Sequence, residues 1–248
     1  VVIANHPSRS ATAMGVYGAT SPEELRNWND AAPDVAVGMA GAPGHQAKTL
    51  DREGGRREAS RGSYGTSPTL GGFDQMAARV GGFWDAMLGE GRHWWITANS
   101  DSHINWREGG SDFWPGEFSK TYVWAEKSYD GILEGLRHGH IFVTTGDLIS
   151  ELYVTASAAG VEANIGSTVA MQAGADVVVT IRFRDPRATN SHGDDPAVTR
   201  VDLITGLVAG GDAGPASGTD PNTNPSTKVI ARFGPGAWKT EGDYHTVT

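Results

Sequence analysis

The sequence predicts an α/β domain over residues 1–149, followed by a smaller β-sandwich-like domain over residues 150–248. Three observations carry this. Apolar runs end abruptly in polar, metal-competent residues: Val1-Val2-Ile3-Ala4-Asn5 runs into His6-Pro7, and Trp94-Trp95-Ile96-Thr97-Ala98 into Asn99-Ser100-Asp101-Ser102-His103. Helix-like periodicity twice feeds a strand, over 73–88 and over 130–137, which is half of a β/α repeat. Past about Ser150 that periodicity is lost and short β runs separated by turn residues replace it. A chain of 248 residues suffices for two domains, each with its own core.

Taken in order, the first strand ends at His6 and a small, polar loop covers 8–18. Ser21-Pro22-Glu23-Glu24-Leu25 then starts a helix, with Ser21 as N-cap, proline at the first helical position and Glu24 completing a capping box. Asp34 to Met39 alternates enough for a short strand that ends at Gly41-Ala42-Pro43-Gly44-His45. Residues 48–68 are rich in Gly, Arg, Ser and Glu and read as a long surface loop. Phe73, Met76, Ala77, Val80, Phe83, Trp84 and Met87 recur near every 3.6 residues and predict one amphipathic helix over 73–88. The strand 94–98 follows, then a loop over 105–117 with Trp106 and Trp114, a helix over 130–137 and a strand over 140–144. Beyond Ser150, strands are expected at 152–156, 169–171, 176–183, 200–205 and 228–233. Residues 209–227 read as a flexible connection, in which Asp212 and Asp220 match no calcium-loop spacing.

Composition bounds the function. Hydrophobic residues make up 38% and charged residues 20%, a globular balance. A net charge of −9 argues against a broad nucleic-acid-binding surface, which needs clustered Lys and Arg. With no cysteine, any metal must be held by His, Asp and Glu. No apolar stretch approaches the ~20 residues of a membrane span. The compartment is not fixed by the sequence, and a secreted or periplasmic one is compatible with residues missing upstream.

Asp101 and His103 lie two residues apart and so face one side of an extended backbone, where a carboxylate oxygen and an imidazole nitrogen reach one small volume. That pair suits a divalent ion; a solvated turn after a strand is the competing reading. His6 offers another imidazole at a strand terminus. His45 could turn a third toward the same place, although no metal motif supports it and a structural role is the simpler reading. Arg9 offers a guanidinium to a phosphate, and Asn99 can orient or bind beside the pair. His93, His138 and His140 read as packing or capping residues.

His6-Pro7, Ser100-Asp101-Ser102-His103 and Leu136-Arg137-His138-Gly139-His140-Ile141-Phe142-Val143-Thr144-Thr145-Gly146, in this order, resemble the later motifs of the PHP family of metal-dependent phosphoesterases. The resemblance covers roughly residues 1–150. It implies a partial, distorted β/α barrel, the later part of a seven-stranded one, with metals at the C-terminal strand ends. His6, Asp101 and His103 would then be ligands, with Asp101 and His103 also catalytic; Arg9, Asn99 and His45 are candidates to bind substrate on the residue chemistry given above, not on the resemblance. The implied cofactor is a di- or trinuclear cluster of Zn, Mn or Fe, and the implied partner is a small phosphorylated substrate. The family's opening His-x-His pair is not in this sequence, so the chain is expected to be part of a longer polypeptide. Two other functions compete: an amidohydrolase-like metallohydrolase on a related barrel, and a non-catalytic cell-surface or carbohydrate-binding protein with a degenerate barrel.

Overall fold

The computed structural model describes residues 1–44, 69–70, 72–102, 114–190, 193–210 and 220–248. Its first part is built on a three-stranded parallel sheet of order β1-β2-β5, formed by β1 (Val2–Ala4), β2 (Ala36–Pro43) and β5 (Trp95–Asn99). All eight residues of β2 are buried, as expected of a central parallel strand covered on both faces. Between β1 and β2 runs α1 (Pro22–Ala31), capped by the Ser21 hydroxyl, which accepts the Glu24 amide N–H at 3.0 Å. The crossover from β2 to β5 holds the short pair β3 (Thr69–Leu70) and β4 (Phe73–Asp74), then α2 (Gln75–Ala78) and α3 (Phe83–Gly89).

The single helix expected over 73–88 is therefore two short ones. Asp74 caps α2 through the Met76 N–H, and the chain turns at Arg79–Gly82 before α3 begins. The Gly81 N–H donates to the Asp85 carboxylate at 2.5 Å, and its carbonyl accepts the Asn224 N–H at 3.0 Å. The apolar periodicity survives because both pieces bury the same side: Met76, Phe83 and Met87 pack with Leu25, Met39, Trp94 and Ile96 in one core.

Strand β6 (Ser119–Val123) pairs antiparallel with β7 (Ile141–Thr145) around α4 (Tyr129–Arg137). The second helix-to-strand recurrence thus leads into an antiparallel pair, and among the described residues the strands do not close into a barrel. β6 meets β5 through one side chain: the Thr121 hydroxyl accepts the Ala98 N–H at 2.9 Å and donates to the Ala98 carbonyl at 2.7 Å.

Residues 151–248 form a five-stranded antiparallel sheet of order β13-β14-β10-β8-β9 and a separate two-stranded ribbon, β11-β12. The elements are β8 (Glu151–Ala158), β9 (Val161–Asn164), β10 (Val178–Arg184), β11 (Val201–Thr205), β12 (Lys228–Phe233), β13 (Lys239–Glu241) and β14 (Tyr244–Val247). Ile181, Phe183 and Val247 of the sheet pack with Val201, Leu203 and Phe233 of the ribbon in a second core, so two β layers face each other. The strand expected at 169–171 is absent. Its place in the sheet is taken by β9, which returns from β8 through the two-residue turn Ala159-Gly160 with φ of 50° and 83°, the left-handed pair that a tight hairpin requires.

The described part of 209–227 is a packed strap instead of a flexible connection. Arg26 of α1 donates to the Asn222 side chain and the Pro221 carbonyl, each at 2.8 Å, and the Asn224 carboxamide donates to the Asp85 carbonyl at 3.1 Å. The ion-ready Asp220 is used locally, its carboxylate accepting the Asn222 N–H at 2.9 Å; Asp212 and the surface loop of 48–68 lie outside the described residues.

Candidate functional site

Parallel strands deliver their exits to one edge of a sheet, and here three exits meet. β1 leads into Asn5-His6-Pro7, β2 into Gly44, and β5 into Ser100-Asp101-Ser102. His6 and Asp101 both take left-handed backbone conformations, with φ of 29° and 55°. Such conformations are uncommon outside glycine, and persist where the surroundings hold them.

The surroundings can be named. After β1, Pro7 and Ser8 are fully buried, and the Asp74 carboxylate grips Ser8 twice, accepting its N–H at 2.9 Å and its hydroxyl at 2.7 Å. The same carboxylate holds the Met76 N–H at 2.8 Å, so the loop that carries His6 is tied to the start of α2. The Arg9 N–H closes a turn on the His6 carbonyl at 3.0 Å. After β5, the Asn99 side-chain oxygen accepts the Asp101 N–H at 2.9 Å and fixes the bend there. Between them, Gly44 has φ of 36°, and a β-carbon on it would collide with the Ser100 carbonyl and approach the Asn99 carbonyl to 2.7 Å. Only glycine lets the β2 exit lie this close to the β5 exit.

Below this edge, the sheet together with β6 and α4 lines an open cavity of about 500 Å³. Its floor is Ile3, Ala40, Val123 and Leu136, and its polar side is Asn5, Asn99, Asp101 and Thr121. Ile3 and Asn5 alternate with the core residue Ala4, and Thr97 and Asn99 follow the same two-residue period along β5, whereas Asp101 reaches the cavity from the left-handed bend beyond the strand instead of from an extended backbone. The volume suits a small molecule held by a few polar groups above an apolar wall.

Of the residues singled out by sequence, the structure thus brings Asp101 and Asn99 to one cavity. His6 lies one residue beyond its lining residue Asn5, and Arg9 is an exposed residue past the next turn. Asn99 spends its side-chain oxygen on the Asp101 backbone, a positioning contact. His45 and His103 lie outside the described residues, directly after Gly44 and Ser102. Among the described residues no three His, Asp or Glu side chains form a metal-sized group. In donor type, the imidazole of His6 and the carboxylate of Asp101 are a mixed N/O set of the kind divalent ions take.

His93 and His138 sit in packing and capping roles, whereas His140 lines a pocket at the edge of β7. His93 stacks on Trp95 with ring centroids 5.5 Å apart, and His138 ends α4 with its N–H on the Glu134 carbonyl at 3.0 Å. Trp94 is fully buried, and Trp95 covers the end of α4, donating its indole N–H to the Arg137 carbonyl at 2.9 Å. Sequence reasoning missed Asp74, Thr121 and Gly44. The Asp74-Gln75-Met76 stretch carries an N-cap signal, but it lies inside a run whose apolar period reads as continuous helix.

No protein-family model matches the chain, and neither a curated protein nor a solved structure matches it.

Proposed function

We propose that the C-terminal edge of the parallel sheet is a metal-dependent phosphoesterase site of PHP type, hydrolysing a small phosphate mono- or diester. The observation that supports it most is the convergence of three strand exits on one edge, with His6 and Asp101 both held in left-handed conformations by buried or side-chain hydrogen bonds. Active sites of β/α architectures gather at this edge.

In this reading the Asp101 carboxylate and the imidazoles of His6, and of His103 two residues beyond Asp101, hold Zn, Mn or Fe. Divalent ions bound there supply charge neutralisation for the phosphoryl oxygens and a hydroxide nucleophile near neutral pH. The chain supplies position. Asp74 fixes the approach of His6, Asn99 fixes the bend at Asp101, and the cavity beside Asp101 holds the rest of the substrate. Arg9, on the exposed rim, offers its guanidinium to an incoming phosphate.

The test is Asp101→Asn, which keeps a residue tolerant of the left-handed conformation and removes the negative charge. Hydrolysis of an aryl phosphate, a bis-aryl phosphate and an aryl amide is measured with Mn²⁺ or Zn²⁺, alongside bound metal and thermal unfolding. The expected result is phosphate-ester turnover reduced at least about a hundredfold, with folding retained. Undiminished turnover in the folded, metal-loaded variant refutes the role of Asp101, and turnover of the amide alone points to an amidohydrolase.

A further inference from the structure

A second pocket, of about 310 Å³, lies where the first part of the chain meets the five-stranded sheet, and it shares no residue with the cavity beside Asp101. Trp124 and His140 come from the first part of the chain and Tyr153, Thr155, Asn164 and Ser167 from the sheet and the turn after β9, with Leu152, Val154 and Ile165 adding apolar surface. The two large rings, Trp124 and Tyr153, sit 5.0 Å apart at 56° to each other, and Trp124 is 45% exposed. From this geometry we infer that the pocket is a binding site for a neutral saccharide.

The argument is chemical complementarity. Among the described residues no Asp, Glu, Lys or Arg lines the pocket, in a chain with a net charge of −9. The Arg182 guanidinium lies over the Tyr153 ring, 5.6 Å from its centroid, and is not part of the lining, so the lining itself offers a phosphate or carboxylate no counter-charge. An aliphatic ligand would strip water from the Asn164 carboxamide, the Thr155 and Ser167 hydroxyls and the His140 imidazole without replacing its hydrogen bonds, at a cost for each group. A sugar ring answers both requirements, since its C–H face lies on an aromatic ring while its hydroxyls donate to and accept from neutral polar groups.

The walls are also fixed in advance, which lowers the entropy lost on binding. The Trp124 backbone N–H donates to the His140 carbonyl at 2.8 Å, which fixes the strand that carries the indole, and the Tyr153 hydroxyl donates to the Glu151 carboxylate at 2.8 Å. Thr155 and Asn164 are direct partners across β8 and β9. The turn after β9 presses against the corner between α4 and β7, where Gly166 has φ of 81° and no room for a β-carbon beside the His140 ring and the His138 carbonyl.

The experiment titrates the whole protein, with EDTA present so that hydrolysis plays no part, with short glucose-, mannose-, xylose- and N-acetylglucosamine-based oligosaccharides, using calorimetry and tryptophan fluorescence. One of these classes is expected to bind. Trp124→Ala should weaken that binding about tenfold or more, as truncating an aromatic anchor does, while Trp124→Phe, which keeps a ring, should retain most of it. Asn164→Ala provides a second variant on the opposite wall and should also weaken it. Failure of all four classes to bind the unaltered protein overturns the assignment, as does binding that is unchanged in folded Trp124→Ala.

Discussion

The Asp74 carboxylate is the joint that positions His6, and removing it should be among the most costly polar substitutions in the chain. Asp74 and Ser8 are both fully buried, and the carboxylate accepts hydrogen bonds from the Ser8 N–H, the Ser8 hydroxyl and the Met76 N–H, at 2.7 to 2.9 Å. Hydrogen bonds to a charged acceptor contribute about 1.5–3 kcal/mol each, and they do not add fully when one site relaxes. Asp74→Ala leaves these buried donors without that acceptor and uncaps α2, so a loss of about 3–5 kcal/mol is expected. Ser8→Ala removes one donor together with its bond and should cost only about 1 kcal/mol. Urea unfolding of both variants and of the double variant measures this directly. With a slope of about 2–3 kcal/mol per molar, Asp74→Ala should lower the midpoint by about 1–2.5 M. In the double variant the cost should fall short of the sum of the two single ones. If Asp74→Ala costs no more than Ser8→Ala, the carboxylate is not the joint, and the account of how the His6 loop is held fails.

Gly44→Ala meets a positive φ of 36° and the Ser100 carbonyl together, so it should lower the thermal midpoint and weaken metal binding, whereas a substitution at the exposed Gly174, which has open space around it, should affect metal binding little. Unchanged metal affinity in Gly44→Ala would separate the β2 exit from the site. Burial raises the Glu90 pKa, but hydrogen bonds from Arg26 and Arg92 outweigh it and hold the carboxyl below its ordinary value of 4.5. The stability this gives is present above the unfolded-state value and is lost as pH falls through the folded one, so Glu90→Gln should be less stable than the unaltered protein at pH 7, with the gap closing as pH falls through the lowered folded-state value. A gap independent of pH would contradict that linkage.

What was legible in the sequence was what local physics writes locally. Ser21-Pro22-Glu23-Glu24 marked the start of α1 because a cap and its proline are chemical requirements of a helix N-terminus. The apolar stretch before Asn99 marked β5, and the run 177–184 marked β10, because a buried strand has to be apolar or alternate. β6 left no such mark. Ser119-Lys120-Thr121-Tyr122-Val123 is half polar, and what makes it a strand is its register with β7 and the grip of Thr121 on Ala98, both set by residues far along the chain. The break between α2 and α3 was hidden because a helical period on either side of two glycines looks the same as one unbroken helix, and only the Asn224 strap shows that the turn is used.

The candidate site divides along the same line. The place of its proposed donors was legible, since a histidine or aspartate directly after a buried strand needs nothing beyond strand direction to be placed at an edge, and the parallel order β1-β2-β5 sends all three exits the same way. Its supports were not. Asp74 lies 66 residues from the Ser8 it holds, and no local pattern records a contact between two side chains that meet only after the crossover has folded. Yet these supports convert three strand ends into one geometry. Without the carboxylate on Ser8, the carboxamide on Asp101 and the missing β-carbon at Gly44, the same donors would leave the sheet as independent loops, each free to sample many positions. The energy that holds His6 and Asp101 in left-handed conformations is therefore supplied by long-range polar pairing and close backbone approach, and substitutions at Asp74 and Gly44 should disturb the site's chemistry without altering any atom proposed to take part in it.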